Sequence, residues 1–213
     1  MTVRTNREKR GRFGGKAGFA ILLLVAAALF GPQAGEGFYK QEGTPGAKDG
    51  RPREEQNREY FTDRMVIAHD GRERRFYTDV LKDRVVLIAF FYTNCPTAGP
   101  DTAKLMEIRG MLDGDVGEKI LFVSVSADPE RDTLDAVKEY AKRHDPGKGW
   151  VLLTGGKENL TAINRKLGNV SPDPESHIRI YLLGNLRTGH WIRMNQFAPS
   201  GAVADGLRLL AEE

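Results

Sequence analysis

The chain has one cysteine, Cys95, in 213 residues. The lack of a second cysteine excludes an internal disulfide and a dithiol–disulfide cycle. Aromatic residues are scarce, at 8%, and no basic stretch is interleaved with them, so the composition speaks against a nucleic-acid-binding surface. The net charge of +3 does not restore that reading. Residues 1–16 carry Arg4, Arg7, Lys9, Arg10, Arg12 and Lys16 against Glu8, a balance of +5 that leaves the rest of the chain at −2. There is no internal repeat, and only one long run without a polar side chain, "AGFAILLLVAAALFG" at Ala17–Gly31.

That run has no polar face. It is short of the roughly 20 residues that span a bilayer core and suits a signal-peptide apolar region or a short signal-anchor. Three fates stay open: an uncleaved anchor, which is the leading reading; a signal cleaved near Ala34, where the small-residue site is poor; and a buried core helix. Positive charge ahead of the run holds the N-terminus in the cytoplasm. The protein is then expected in the cytoplasmic membrane as a single-pass chain, its bulk on the extracytoplasmic (periplasmic) side, or secreted after cleavage. In that oxidising compartment a lone cysteine reads as a reactive or intermolecular thiol.

The chain divides into a basic cytoplasmic tail (1–16), the transmembrane signal-anchor (17–31), a flexible Gly- and Pro-rich linker (32–60) with little to bury, and a folded domain (61–213). In the domain, Asp70-Gly71 marks a tight hairpin turn between strands expected at Met65–His69 and Glu73–Tyr77. "RVVLIAFFYT" (84–93) and "KILFVSVSA" (119–127) read as fully buried central strands, and "WVLLT" (150–154) as a third. Helices are expected over Ala98–Leu112, after Asp128 as N-cap, over Lys157–Leu167 with Gly168 as the stop, and over Ser200–Glu213. A hairpin over His177–Leu183 and Gly189–Arg193 precedes the last helix. Crossover helices between buried strands, then an antiparallel hairpin, imply an α/β fold: a thioredoxin-like mixed central sheet with flanking helices and an N-terminal hairpin extension.

Cys95 lies where the first buried strand passes into a helix, with Pro96 suited to the first turn. A thiol at a helix N-terminus faces unpaired N–H groups and the positive end of the macrodipole, which favour thiolate. The competing reading is an inert cysteine packed as a small hydrophobe. Among the histidines, His69 reads as a surface turn residue beside Asp70-Gly71 and His144 as a solvated residue at a helix C-terminus. His177 would be an ordinary strand-entry residue.

The segment "FYTNCPTAGP" (91–100) resembles the copper-site segment of the Sco/SenC family, membrane-anchored thioredoxin-like proteins that handle copper for cytochrome c oxidase assembly. "VSVSADPERDTLDAVKEYAKRH" (123–144) and "SHIRIYLLGNLRTGHW" (176–191) are similar to further stretches of that family, in the same order, and the likeness runs over about residues 60–213. The resemblance implies copper as cofactor or cargo. It implies a cuproprotein such as a cytochrome oxidase subunit as partner, besides the membrane itself. Family members hold copper through two cysteines four apart and one histidine. Here those positions are Cys95, Gly99 and His177, so one ligand is lost, and Ser176 stands where the family carries an acid. Asp128 falls in an acidic loop that lies near the family's site, which implies a supporting role. Cu(I) prefers thiolate, so the site is expected to be weak or completed by a partner.

Two further readings remain. One is a one-cysteine thiol redox enzyme or peroxidase-like sensor acting through sulfenate or mixed disulfide, with Thr93 and Thr97 available beside the thiol. The other is a non-catalytic thioredoxin-like interaction module.

Overall fold

The computed structural model describes residues 39–42 (backbone only), 50–171 and 173–213. The basic tail, the apolar run 17–31 and the remainder of the linker lie outside the described residues. Among the described residues no helix is long and apolar enough to cross a membrane.

The strands are β1 (Tyr39–Glu42), β2 (Met65–Ala68), β3 (Glu73–Arg75), β4 (Val85–Phe91), β5 (Ile120–Ser126), β6 (Trp150–Thr154), β7 (Ile180–Asn185) and β8 (His190–Asn195). The helices are α1 (Arg53–Phe61), α2 (Ala98–Met111), α3 (Leu134–His144), α4 (Lys157–Lys166) and α5 (Ser200–Ala211). One sheet contains all the strands, in the order β1-β8-β7-β4-β5-β6-β2-β3. Its centre, β4-β5-β6, is parallel, and β7, β8, β1 on one side and β2, β3 on the other are antiparallel. This is the expected thioredoxin-like mixed sheet, with the β2–β3 hairpin extending its β6 edge.

Every residue of β4 is buried, yet its side chains alternate between two cores, as the pleat requires. Val86, Ile88 and Phe90 face a core closed by Phe61 of α1, the wide helical turn Phe76–Leu81, and Leu160 and Ile163 of α4. Val85, Leu87 and Ala89 face α2 and α5 through Leu105, Ile108, Val203 and Leu207. Phe91 joins Val137 and Tyr140 of α3. A strand sandwiched in this way presents only its two ends to the exterior, and Cys95 follows one of them.

Three expectations need correction. The stretch 32–60 is not a uniform tether, because it contains β1 and α1. Helix α1 is polar on nearly all its surface, with Glu54 and Glu55 in its first turn and Arg58 in its last, and its exposed ion pairs contribute little. Docking holds it: buried Asn57 donates to the Leu186 carbonyl at 3.1 Å, and Phe61 packs on Trp191 with ring centroids 5.1 Å apart. The folded part therefore starts ahead of Phe61. Second, Asp128 does not cap the following helix. α3 begins at Leu134, capped by Thr133, whose hydroxyl accepts from Ala136 N–H. Third, the hairpin's second strand stops at Arg75, where the chain enters the turn Phe76–Leu81 and buries Phe76, Tyr77, Val80 and Leu81. Gly168 does end α4, at φ +85°, in the conformation that glycine adopts without strain.

Candidate metal centre

β4 ends at Phe91, and Tyr92–Thr97 form a pair of tight turns before α2. Cys95 N–H donates to the Tyr92 carbonyl at 3.1 Å, and Ala98 N–H donates to that of Cys95 at 3.0 Å. Cys95 is half-buried. The helix begins only at Ala98, with Thr97 at the cap position. The start at Ala98 is the expected one, but Pro96 stands with the thiol in the turn ahead of the helix rather than in its first turn. Gly99 is the second residue of α2 and exposed. A Cβ added there would meet nothing within 4 Å.

A hydrogen-bonded chain backs the sulfur. Cys95 Sγ lies 3.2 Å from Thr97 Oγ1. The Thr97 hydroxyl donates to Asp101 Oδ2 at 2.8 Å and accepts from Arg179 at 2.9 Å, while Arg179 pairs with Asp101 at 3.0 Å. Thr97 has a single proton and commits it to Asp101, so the thiol is the donor in the Cys95–Thr97 contact. Arg179 comes from the segment before β7, far from Thr97 in sequence, and no local pattern announces it.

Asp132 holds the turn from the other side. One carboxylate oxygen accepts from Thr93 N–H at 2.9 Å and the Thr93 hydroxyl at 2.7 Å, and the other accepts from the Ser126 hydroxyl at 2.6 Å. The Thr154 hydroxyl donates to the Asp132 carbonyl. Asp132 is 1% exposed, and burial raises its carboxyl above the usual range against the pull of those hydrogen bonds. Asp128 is buried too, with its N–H donating to Ser126 Oγ at 3.1 Å and its carboxylate paired with Arg131. It lines a cavity of about 570 Å³ together with Arg131, Asn164, Asn169 and Pro174, whose lining includes neither Cys95 nor His177.

His177 is 8% exposed and leaves a short helical turn, Pro174–Ser176. It lies ahead of β7, which starts at Ile180, rather than at strand entry. Its Nδ1 is 2.8 Å from the Pro174 carbonyl. A carbonyl only accepts, so Nδ1 carries the proton and Nε2 keeps its lone pair in the neutral ring, the tautomer a metal ligand needs. Two buried asparagines fix the segment. Asn169 accepts from Ile178 N–H at 3.1 Å and donates to Asn164 at 2.8 Å, and Asn164 donates to the Ser126 carbonyl at 2.9 Å.

Tyr92 connects the two candidate donors. Its ring meets His177 edge-on at 5.7 Å, its carbonyl accepts the Cys95 N–H, and its phenol feels the Cys95 sulfur. Burial, then the sulfur, push that phenol up to about 12, so near neutral pH it is a hydrogen-bond donor rather than an anionic ligand. Thiolate and imidazole suit copper, but two donors are fewer than a closed site requires. Among the described residues no group of three or more His, Cys, Asp or Glu is placed to hold a metal ion. The residues present fit copper only as an incomplete donor set.

A profile of the SCO1/SenC family matches residues 55–178, more than half of the chain. A candidate copper-binding protein of Stutzerimonas stutzeri is 32% identical over 100 residues, 46% of this chain and 48% of that one. The mitochondrial Protein SCO1 homolog of Homo sapiens is 31% identical over 143 residues, 66% of this chain and 44% of that one. The chain spans about half or less of the length of these relatives. Arabidopsis thaliana ScoI, solved with copper bound, superposes with a TM-score of 0.57 at 23% identity, over 70% of this chain and 95% of that one. BsSco, a member of the Sco family of cytochrome c oxidase assembly proteins, superposes with a TM-score of 0.59 at 21% identity, over 71% and 93%. At such identities the likeness is one of fold. The family match, by contrast, is one of sequence, and it runs from within α1 through the cysteine turn to the residue after His177: the chain belongs to the SCO1/SenC family.

Proposed function

We propose that the protein handles copper for a cuproprotein such as a cytochrome c oxidase subunit, through a one-cysteine site formed by Cys95 and His177. The observation that carries this reading is the edge-on packing of the His177 imidazole, its Nδ1 tied to the backbone, against Tyr92, three residues before the half-buried thiol of Cys95. Copper is cargo here. A site lacking its third donor holds the ion weakly and releases it readily to a partner that offers more sulfur or nitrogen ligands. Family membership supports the reading, and so do the relatives named for copper or for oxidase assembly. Asp128 supports the site at a distance, by fixing Ser126 and through it Asp132 and Thr93.

The test is titration of the full chain in nonionic detergent, with Cu(I) under anaerobic competition and with Cu(II) in air. One equivalent is expected to bind. Cys95→Ser abolishes it, and His177→Ala weakens it at least about tenfold. Wild-type affinity no better than that of Cys95→Ser for either ion would overturn the reading.

A second reading, a one-cysteine thiol redox protein, draws on the Thr97 hydroxyl at 3.2 Å from the sulfur, with Arg179 behind it. The same titration separates the two. In the redox reading Cys95 forms sulfenate or mixed disulfide under mild oxidation, while copper affinity matches that of the serine variant.

For placement, we propose that 17–31 anchors the chain in the cytoplasmic membrane, with the folded domain on the extracytoplasmic side. The charge asymmetry of residues 1–16 supports this orientation. The protein is expected to stay with membranes through carbonate extraction while externally added protease reaches the domain. Recovery of a mature chain beginning near Gly35 in the soluble extracytoplasmic fraction would overturn it.

A further inference from the structure

At the end of the parallel strands opposite Cys95, three cationic or donor side chains surround a cavity of about 210 Å³. Its lining includes His69 and Asp70 after β2, Arg74 of β3, Arg84 just before β4, and Gly149–Val151 at the start of β6. β4 is seven residues long, so this end lies about 20 Å from the cysteine turn and takes no part in the site described above.

The hydrogen bonding here is incomplete in one direction. Arg74 gives one guanidinium nitrogen to Asp70 at 2.8 Å, but its Nε is buried with no partner. Arg84 donates to the Val80 carbonyl at 3.1 Å and has no carboxylate partner among the described residues. Burial, then the facing charge of Arg74, lower Arg84 below the usual guanidinium range, and the one carboxylate lining the cavity, Asp70, is paired with Arg74. His69 accepts the Leu152 N–H at its Nδ1, at 3.2 Å, so its Nε2 carries a proton and is a third donor. This corrects the reading of His69 as a surface turn residue, because the imidazole is half-buried and tied to β6.

We propose that this cavity binds a phosphate group through Arg74, Arg84 and His69. A carboxylate has two oxygens, whereas three donors arriving from three strand segments match a tetrahedral oxyanion with at least three. Guanidinium pairs with phosphate in charge-assisted, often bidentate bonds. The volume admits a single phosphate group with a few waters, since a water occupies about 30 Å³. The bound anion relieves the repulsion between the two guanidinium groups and satisfies the orphaned Arg74 Nε. The phosphate can be a free ion or a lipid headgroup, and the two sources are separated experimentally.

The test is arginine modification by phenylglyoxal on the full chain in nonionic micelles, mapped by peptide mass spectrometry. One arm adds inorganic phosphate, and the other adds phosphatidic acid, a phosphomonoester lipid, to the micelles without free phosphate. Modification of Arg84 and Arg74 is expected to slow about tenfold with the ligand, while Arg208, on α5, is unchanged. In Arg84→Gln, Arg74 loses that protection, whereas in Cys95→Ser it is retained. Protection by phosphatidic acid alone identifies the ligand as a lipid headgroup, and protection by inorganic phosphate identifies it as the free ion. If neither slows the reaction at either arginine, or if Arg84→Gln leaves Arg74 fully protected, the proposal is wrong.

Discussion

Gly99→Cys is expected to tighten Cu(I) binding by roughly two orders of magnitude or more, because a second thiolate adds the soft donor that the Cys95–His177 pair lacks. The position accepts the change. Gly99 is exposed in the first turn of α2, a Cβ there meets nothing within 4 Å, and its φ is not in the left-handed region. Removing a glycine from a helix also stabilises it by a few tenths of a kcal/mol at about this site. The variant therefore folds as the parent does, and a changed affinity reports ligation. Gly99→Ser separates ligand chemistry from helix stabilisation, since it adds a side chain of similar size with a hard oxygen and is expected to leave Cu(I) affinity unchanged. Competition against a chromophoric Cu(I) chelator provides the measurement. If Gly99→Cys binds Cu(I) no more tightly than the parent, residue 99 does not face the copper site, and the turn ahead of α2 directs the Cys95 sulfur elsewhere.

Asp132→Ala is expected to cost about 3 kcal/mol of stability, a fall in melting temperature of about 6–12 °C for a chain of this size. One buried carboxylate accepts from Thr93 N–H, the Thr93 hydroxyl and the Ser126 hydroxyl, and truncation leaves these donors without a partner in a space water enters poorly. Thr93 is two residues before Cys95, so copper affinity is expected to fall about tenfold as the turn loosens. The carboxyl also carries a pH signature. Its folded-state pKa lies above the unfolded value because burial penalises the charge. The stability it contributes is therefore complete below the unfolded carboxyl range and is lost as pH rises through the raised folded value. Asp132→Asn cannot ionise, so the difference between it and the wild type shifts in favour of the asparagine as pH rises through that range. Denaturant melts of both proteins across the acidic range check the sign. A difference independent of pH would mean that Asp132 titrates as it does in the unfolded chain.

The parts of this protein that were legible in the sequence are those in which neighbours along the chain decide the outcome. The run Val85–Phe91 reads as a buried strand because every one of its residues is apolar, and Asp70-Gly71 reads as a hairpin because few dipeptides accept that turn. The thioredoxin-like order follows from the succession of such segments, and so does the position of Cys95 at a strand's end. Helix α1 escaped the same reading because it has no apolar stripe. Only Asn57 and Phe61 are buried, and they find Leu186 and Trp191 more than a hundred residues away.

Asp128 looked like a cap, but the chain makes an extra turn whose geometry depends on Ser126 and Asp132, so Thr133 takes that role. The candidate site itself is a product of tertiary structure. Its sulfur, imidazole and phenol come from the end of β4 and from the turn before β7, and Arg179 reaches Thr97 only because β7 pairs with β4. The two arginines at the far end are ten residues apart, in segments of different kinds, and no periodicity links them. Hydrophobic alternation specifies which way each residue faces within an element. Which polar groups meet is decided by the stacking of elements, and that information is spread over the whole chain.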